Sequence, residues 1–451
     1  MHPFISKYLL YLPLQTMRRE KVLKHVKDLE ETQWMSNDEL NKWQWNRLKN
    51  LLHHAFLNIP YYQKQFETAN LSPDKISNYD DFLNFPILTK EQYRNNLSQL
   101  VAQNRKTRLD LKRTSGSSGI PLEILKDRDT YARTRAIMYR CYKWYGIDIG
   151  DKQARVLGHP TTFISKLQED IQDLILNKTR LDPVFLTEKN MLSYYHKLKR
   201  IKPKYIYGYP SAIYEFGKFL TQKSLEPSKL RIPVIITTGE ILQPSQKDHI
   251  ESVFESKVVN EYGCSECGII AFPCPEGKMH LSSDNLFIEI IKNGKPAEPG
   301  EMGEVVVTEL FHYAAPLIRY NVADLAKSSQ DQHCPCGRGL PVIDSVEGRS
   351  SQLIALPNGQ KVHTEIFHYI SDAISENGGG IKHFRVIQKK ESEFQVEVVP
   401  DENYTSKTME YLASEFKRFL GKEIILDVRE VDEISRDKSG KLRYFISEMN
   451  T

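Results

Sequence analysis

Between about residue 150 and residue 310, short apolar runs alternate with helix-length segments, and this alternation restricts the fold more than any other feature of the chain. Ala154 to Leu157, Tyr205 to Tyr207, Ile232 to Thr237, Lys257 to Asn260, Leu286 to Ile291 and Glu304 to Thr308 read as strands. Ser211 to Thr221 and Ser245 to Phe254 read as helices between them. Strands spaced by helices predict α/β layering. In such sheets ligands gather beyond the carboxyl ends of the strands. The strand ends followed by glycine, Tyr207-Gly208-Tyr209-Pro210 and Thr238-Gly239-Glu240, are therefore the first places to look for a site.

The regions on either side have a different texture. Residues up to about Asn95 are helical in pattern, with Trp43, Leu48, Leu51, Leu52 and Phe56 at helical spacing before a break at Asn58-Ile59-Pro60-Tyr61-Tyr62. Those apolar residues are most simply core. Phe4 to Leu14 is apolar and precedes the basic Arg18-Arg19-Glu20-Lys21, the reverse of a signal peptide's charge order, so a docked first helix is expected. Beyond Gly348, two runs flank Pro357-Asn358-Gly359 as a hairpin, and a helix over Thr364 to Ser375 follows. Strands at Lys382 to Gln388, Glu393 to Val398 and Ile424 to Val428 complete the region with a helix bearing Met409, Leu412, Phe416 and Phe419. The expected organisation is a large α/β domain over 1–348, opened by a helical segment over 1–95, and a small α+β domain over 349–451.

Charge and cysteine content exclude several classes. The 62 basic and 58 acidic residues leave a formal charge of +4, which makes no case for nucleic acid. No run reaches the roughly 18 apolar residues of a transmembrane helix. Six cysteines in 451 residues make no disulfide framework, and the expected location is the cytoplasm. Cys264, Cys267 and Cys274 precede His280, and Cys334-Pro335-Cys336 follows. Thiolates and an imidazole in two clusters suit tetrahedral Zn²⁺, although spacing leaves open which four would bind and a set of free buried thiols accounts for the same residues.

The stretch Thr114-Ser115-Gly116-Ser117-Ser118-Gly119 concentrates hydroxyls and glycines. Glycine lets backbone N–H groups approach an anion closely, so the stretch reads as a phosphate-cradling loop. A flexible linker has the same composition, but Pro121 and the strand-like Leu122 to Leu125 weigh against one. No Gly-x-x-x-x-Gly-Lys-Ser/Thr and no Gly-x-Gly-x-x-Gly after a strand occurs, so neither a Walker-type nor a dinucleotide-binding site is supported.

The loop resembles the phosphate loop of the adenylate-forming enzymes, the superfamily of acyl-CoA ligases. Further segments match that superfamily in the same order. Thr237-Thr238-Gly239-Glu240 resembles the segment lining the adenine side of the pocket. Asn260-Glu261-Tyr262-Gly263-Cys264-Ser265-Glu266 is similar to the motif whose tyrosine stacks on adenine and whose glutamate holds Mg²⁺. Ile318-Arg319-Tyr320-Asn321-Val322-Ala323-Asp324 resembles the segment ending in the ribose-binding aspartate. Gly348-Arg349 resembles the entrance to the hinge, its arginine reaching ribose or phosphate, and Ser439-Gly440-Lys441-Leu442-Arg443 the motif with the catalytic lysine. Alone, each reads as an ordinary turn, cap or exposed loop; their order carries the resemblance. Asn58-Ile59-Pro60-Tyr61-Tyr62, Pro316-Leu317-Ile318-Arg319-Tyr320 and Cys334-Pro335-Cys336-Gly337-Arg338 look like the phenylacetate-CoA ligase group, and its branch associated with capsular polysaccharide synthesis.

The resemblance implies that a carboxylic acid attacks the α-phosphorus of ATP and that the acyl group then passes to a thiol, most simply CoA. Lys441 and Glu266 would be catalytic, Glu266 holding Mg²⁺. Nucleotide would meet Thr114 to Gly119, Gly239, Glu240, Glu261, Tyr262, Gly263, Ser265, Asp324 and Arg349. Since Ser265 and Glu266 then face nucleotide, Cys274, His280, Cys334 and Cys336 become the preferred zinc set, with Cys264 and Cys267 as alternates. The chain departs from the pattern twice: Ile120 and Pro121 stand where the loop carries a lysine, and Ser350-Ser351-Gln352 where the hinge carries a charge. Three rival readings remain: an adenylating enzyme that hands the acyl group to an amine or hydroxyl of a sugar or carrier, a nucleotide-binding scaffold with weakened catalysis, and a zinc-dependent interaction module. A homodimer is compatible with the sequence.

Overall fold

The structure is a computed structural model that describes residues 1–113, 122–157, 163–183, 186–349, 353–357, 361–363, 366–367, 370, 373–374, 377, 379–435 and 445–449. The chain divides into two compact units, Met1–Leu181 with Phe185–Gly348, and Arg349–Thr451 with Asp182–Val184.

The first unit opens with helices placed by local capping chemistry. Ser36 and Glu39 form a reciprocal capping box at the start of Asn37–Asn58. Ile59 is extended (φ −122°, ψ 108°) and Pro60 begins the next helix, Pro60–Thr68, so the Asn58-to-Tyr62 break marks a change of axis. The apolar start is docked along one side: Ser6 Oγ donates to Ile175 O at 2.6 Å and Lys7 Nζ to Asp148 Oδ2 at 2.5 Å, while Phe4 and Leu9 stay exposed. Among the described residues no helix is long and apolar enough to cross a membrane.

Strands β1 (Leu109–Arg113) and β2 (Glu123–Asp127) form an antiparallel hairpin that brackets residues 114–121. Then follow β3 (Gln153–Val156), β4 (Lys178–Arg180), β5 (Tyr205–Gly208), β6 (Val234–Thr238), β7 (Lys257–Cys264), β8 (Gly268–Pro273), β9 (Met279–Leu281), β10 (Leu286–Lys292), β11 (Lys295–Pro296), β12 (Met302–Glu309), β13 (Tyr320–Ser328) and β14 (Val342–Arg349). Among the described residues these twelve form one sheet in the order β11-β10-β12-β13-β14-β9-β8-β7-β6-β5-β3-β4. From β7 to β4 the neighbours run parallel. On its other edge β7 pairs with β8 antiparallel, so one strand joins two kinds of sheet.

The parallel part is covered on both faces, as βαβ crossovers require. One face packs Ile206, Ile235 and Val258 against Leu198, Ala212, Phe216, Ile250 and Phe254. The other packs Tyr205, Ile236 and Val259 against Ala136, Ile137 and Tyr142 of helix Arg128–Lys143. A third core joins Leu48, Leu52, Tyr62 and Phe66 to Val305, Val307, Tyr320 and Val322. Several buried ions in this unit are paired, as their desolvation demands. Arg140 grips Asp284 at 2.9 and 3.4 Å, and Thr32 Oγ1 donates to the same carboxylate at 2.9 Å.

The expected strands overlap the observed ones, with Leu157, Ile232, Pro233 and Ile424 falling just outside them, but the alternation of strands and helices does not extend past β7. Leu286 to Ile291 and Glu304 to Thr308 belong to the antiparallel half, as do β8, β9, β13 and β14, which the pattern of apolar runs does not reveal. In β13 the buried positions Tyr320, Val322, Asp324 and Ala326 alternate, but one carries a charge and the sequence period is blurred.

The second unit contains a hairpin of β15 (Leu353–Ala355) and β16 (Lys361–His363) and a four-stranded sheet. That sheet orders β17 (Ile381–Lys390), β18 (Glu393–Pro400), β19 (Ile425–Glu430) and β20 (Phe445–Ser447) as β19-β18-β17-β20. Helix Ser406–Leu420 buries Leu412, Phe416 and Leu420 against Phe384, Val386, Phe394 and Val396. Of the helix expected over Thr364 to Ser375, the described Ile366, Phe367, Ile370 and Ile374 are buried in this same core. The architecture is thus α/β in the large unit and α+β in the small one.

Candidate functional site

The carboxyl ends of β5, β6 and β7 are cross-linked by short polar contacts. Gly208 ends β5 in close contact with its neighbour: a Cβ there would sit 2.3 Å from Val156 O, so no side chain fits. Ser211 N, in the first turn of helix Pro210–Gln222, donates to Glu240 Oε2 at 3.1 Å and links the loops after β5 and β6. Gly239 takes φ +77°, a conformation that glycine adopts freely.

Neighbouring residues of β7 serve opposite faces. Glu261 accepts hydrogen bonds from Tyr207 Oη (2.9 Å), Tyr142 Oη (3.1 Å) and Thr238 Oγ1 (3.2 Å). Burial, opposed by these three donors, raises its pKa. Tyr262 turns the other way and donates to Asp324 Oδ2 on β13 at 3.2 Å. Burial first, and the Asp324 charge second, hold its phenol well above the ordinary tyrosine range, which keeps it a donor. Four residues further on, buried Glu266 accepts from Tyr320 Oη at 3.2 Å. Tyr320 and Asp324 share a face of β13, so two motif segments far apart in sequence are joined twice. Gly263 permits this turn, since a Cβ there would meet Gly268 O at 2.4 Å.

Two side chains enter this neighbourhood that motif reading does not single out. Tyr320 is one. The other is Lys90, whose Nζ lies 3.9 Å from Glu266 Oε1. Its position follows from Leu88, which bridges to Tyr320: Leu88 N donates to Arg319 O at 2.9 Å and Asn321 N to Leu88 O at 3.0 Å. Thr89 then caps helix Lys90–Asn95. A Pro-x-x-Thr-Lys run is the one sequence signal for this placement. Behind the site, Lys126 on β2 holds Glu309 at 2.8 Å, and His312 Nδ1 lies 2.9 Å from the same carboxylate. Burial would raise Glu309, but Lys126 and His312 outweigh it and bring the pKa to about 2.

Of the residues that the resemblance assigns, the structure brings together Tyr262, Asp324 and Glu266, with Gly263 at the turn and exposed Ser265 between. Gly239 and Glu240 stand at the neighbouring strand end, and Glu261 faces the tyrosines of β5 and helix Arg128–Lys143. Thr114, Ser115, Gly116, Ser117, Ser118, Gly119 and Lys441 lie outside the described residues, as does the side chain of Arg349.

A second constellation forms beyond β8. The ligand atoms of Cys274, His280, Cys334 and Cys336 all lie within 4.8 Å of one another. Cys274 and Cys334 have their Sγ atoms 3.5 Å apart, and Cys336 Sγ lies 3.3 Å from His280 Nε2. Cys264 and Cys267 pack instead in the core around Tyr262 and Tyr320, with Cys267 N donating to Cys264 Sγ at 3.4 Å.

Comparison with known proteins gives a consistent result. Residues 354–448 match the family model of the CapK C-terminal domain. The phenylacetate-coenzyme A ligase of Aromatoleum evansii is 26% identical over 354 residues, covering 73% of this chain and 74% of that protein. Protein CapK of Staphylococcus aureus is 24% identical over 291 residues, 64% of this chain and 63% of CapK. The crystal structure of 2-hydroxyisobutyryl-CoA ligase in the postadenylation state, in complex with 2-HIB-AMP, superposes with a TM-score of 0.74 at 20% identity, covering 93% of this chain and 92% of that one. The chain has the fold of the acyl-CoA ligases, is similar in sequence to phenylacetate-coenzyme A ligases and to CapK, and matches the CapK C-terminal domain over residues 354–448.

Proposed function

We propose that this chain activates a carboxylic acid with ATP and transfers the acyl group to CoA. The observation that carries the reading is the double link between β7 and β13, Tyr262 to Asp324 and Glu266 to Tyr320. It gathers an aromatic ring and two carboxylates, the ones that the resemblance assigns to ribose and to Mg²⁺, near the carboxyl end of the parallel strand β7, where nucleotides bind in such folds. The names of the curated relatives support the same chemistry.

In the first step a substrate carboxylate oxygen bonds to the α-phosphorus of ATP while the bond to the bridging oxygen breaks, and pyrophosphate leaves with the electron pair. Two anions must approach, so positioning and charge neutralisation dominate. Asp324 would hold ribose hydroxyls and Tyr262 the adenine face. Glu266 fits Mg²⁺, a buried carboxylate with one lone-pair site taken by Tyr320, and the ion would neutralise phosphate oxygens. Lys441 would place its charge between carboxylate and α-phosphate, and the 114–119 loop would donate to the leaving phosphates. In the second step a thiol sulfur attacks the acyl carbon, its proton passes to solvent and AMP leaves. Glu261 and its ring of hydroxyls, on the opposite face of β7 from Tyr262, would line the acid pocket.

A second reading keeps the adenylation but sends the acyl group to an amine or hydroxyl of a sugar or carrier; the CapK match of residues 354–448 favours it. The test is ATP–pyrophosphate exchange over aryl, fatty, hydroxy and amino acids, beside Lys441→Ala. Exchange with one acid class, lost in the variant, supports adenylation, and product formation with CoA or with an amine then separates the two acceptors. ATP binding with no exchange for any acid would turn the reading into a nucleotide-binding scaffold.

A further inference from the structure

The Cys/His cluster stands apart from the chemistry above, and its geometry is that of a metal site. With bonds of ~2.3 Å to sulfur and ~2.0 Å to nitrogen, a tetrahedral zinc ion sets its ligand atoms roughly 3.5–3.8 Å apart. Here Cys274 and Cys334 approach to 3.5 Å and Cys336 and His280 to 3.3 Å, with all four atoms inside 4.8 Å. The sulfurs are thus far beyond disulfide bonding distance, about 2.05 Å.

The surroundings fit a ligand set more closely than a set of free thiols. His280 Nδ1 lies 2.7 Å from Leu340 O. A carbonyl oxygen only accepts, so Nδ1 carries the proton and Nε2 turns its lone pair on the thiols, the arrangement that orients metal-bound histidines. Two tight turns present the cysteines. Gly277 N donates to Cys274 O at 2.9 Å and Gly337 N to Cys334 O at 3.1 Å, with both glycines in the left-handed region at φ +85° and +76°. Cys274, His280 and Cys334 are buried. Three thiolates and one neutral imidazole around Zn²⁺ leave a single net negative charge. Arg338, two residues after Cys336, sits between the rings of Trp34 (5.0 Å) and Trp144 (4.4 Å) and supplies a cation beside it.

The cluster also lies at a junction. Cys274 follows β8, His280 is in β9, and Cys334 and Cys336 are in the loop between β13 and β14. That loop receives the N-terminal helical segment: Gly339 N donates to Gln33 O at 3.0 Å, and a Cβ on Gly339 would lie 1.7 Å from Met35 O. We propose that Cys274, His280, Cys334 and Cys336 bind one Zn²⁺ in a closed structural site, and that the metal shapes the seat on which residues 33–35 dock. Four protein ligands leave no open position, so the ion holds structure and takes no substrate.

The test begins with wild-type protein purified without chelator under reducing conditions. Elemental analysis should find about one equivalent of zinc, and growth on cobalt should give the thiolate charge-transfer and d–d bands of tetrahedral Co²⁺. Cys336→Ser should lose most of the metal, and Cys264→Ser should retain it. Chelation should lower the melting temperature and open the chain around residues 18–36 to limited proteolysis. Less than about a tenth of an equivalent, both as purified and after incubation with zinc, would overturn the site, as would a Cys274–Cys334 disulfide in the reduced preparation. Bound zinc with an unchanged proteolysis pattern after its removal would overturn the seat.

Discussion

Tyr262 and Asp324 meet across 3.2 Å, with the phenol as donor and the carboxylate as acceptor, and so bind the end of β7 to the middle of β13. The two residues that would cradle adenine and ribose hold each other in place. The contact would preorganise the proposed nucleotide pocket, and it makes each residue's loss felt at the other.

Asp324→Ala should weaken ATP binding about 10- to 100-fold, the range that a hydrogen bond to a charged group spans. Tyr262→Phe keeps the ring but removes one donor to the buried Asp324; it should cost about 1–3 kcal/mol of stability with a smaller loss of affinity. Calorimetric titration with ATP, paired with urea unfolding, checks both. Equal affinities in wild type and Asp324→Ala would remove Asp324 from the nucleotide site.

The Arg140–Asp284 pair is almost wholly out of water. Asp284→Ala strands a buried guanidinium and should cost about 3–5 kcal/mol, read as a shift in the urea midpoint. Replacing both partners with apolar residues should recover much of that loss.

Glu309 makes the protein sensitive to acid. Its folded pKa, about 2, lies below the ordinary carboxyl value of 4.5, so the folded state favours the charged form. The Lys126–Glu309 contribution is therefore complete above pH 4.5 and is lost as the pH falls through that value toward about 2. The stability gap between wild type and Glu309→Gln should shrink steadily on acidification below about pH 5, measured by thermal melts at a series of pH values.

Glu261 has the opposite sign. Burial raises its pKa, so the folded state favours the neutral acid and stability falls as the pH climbs above the ordinary 4.5. Glu261→Gln should gain on wild type as the pH rises and match it in acid. In the exchange assay it should change which acids are accepted while ATP binding stays the same. A variant that changes nucleotide affinity instead would move Glu261 to the other pocket.

Much of this was legible in the residues themselves. The parallel strands announced themselves because burial on both faces makes them continuous apolar runs, as in Val234–Thr238. The antiparallel half was quieter. In β14 and β13 polar residues occupy about half of each strand, and the acidic Asp324 is buried, where Tyr262 donates to it. The Cys/His set was legible in composition, and the resemblance already preferred Cys274, His280, Cys334 and Cys336; the structure brings those four ligand atoms together and leaves Cys264 and Cys267 in the core. Lys90 was hidden because its place depends on a single bridge from Leu88 to β13.

β7 is paired on both edges, parallel to β6 and antiparallel to β8. A slip of one residue along it would carry Glu261 into the place of Tyr262 and trade a buried acid for an aromatic ring on each wall. The parallel ladder to β6 and the antiparallel ladder to β8 differ in hydrogen-bond spacing, and both must keep register at once. Which residues face each side of β7 is thus written as a phase, and under the proposed function a mutation that loosens either edge should disturb acid and nucleotide recognition at once, without touching a residue of either.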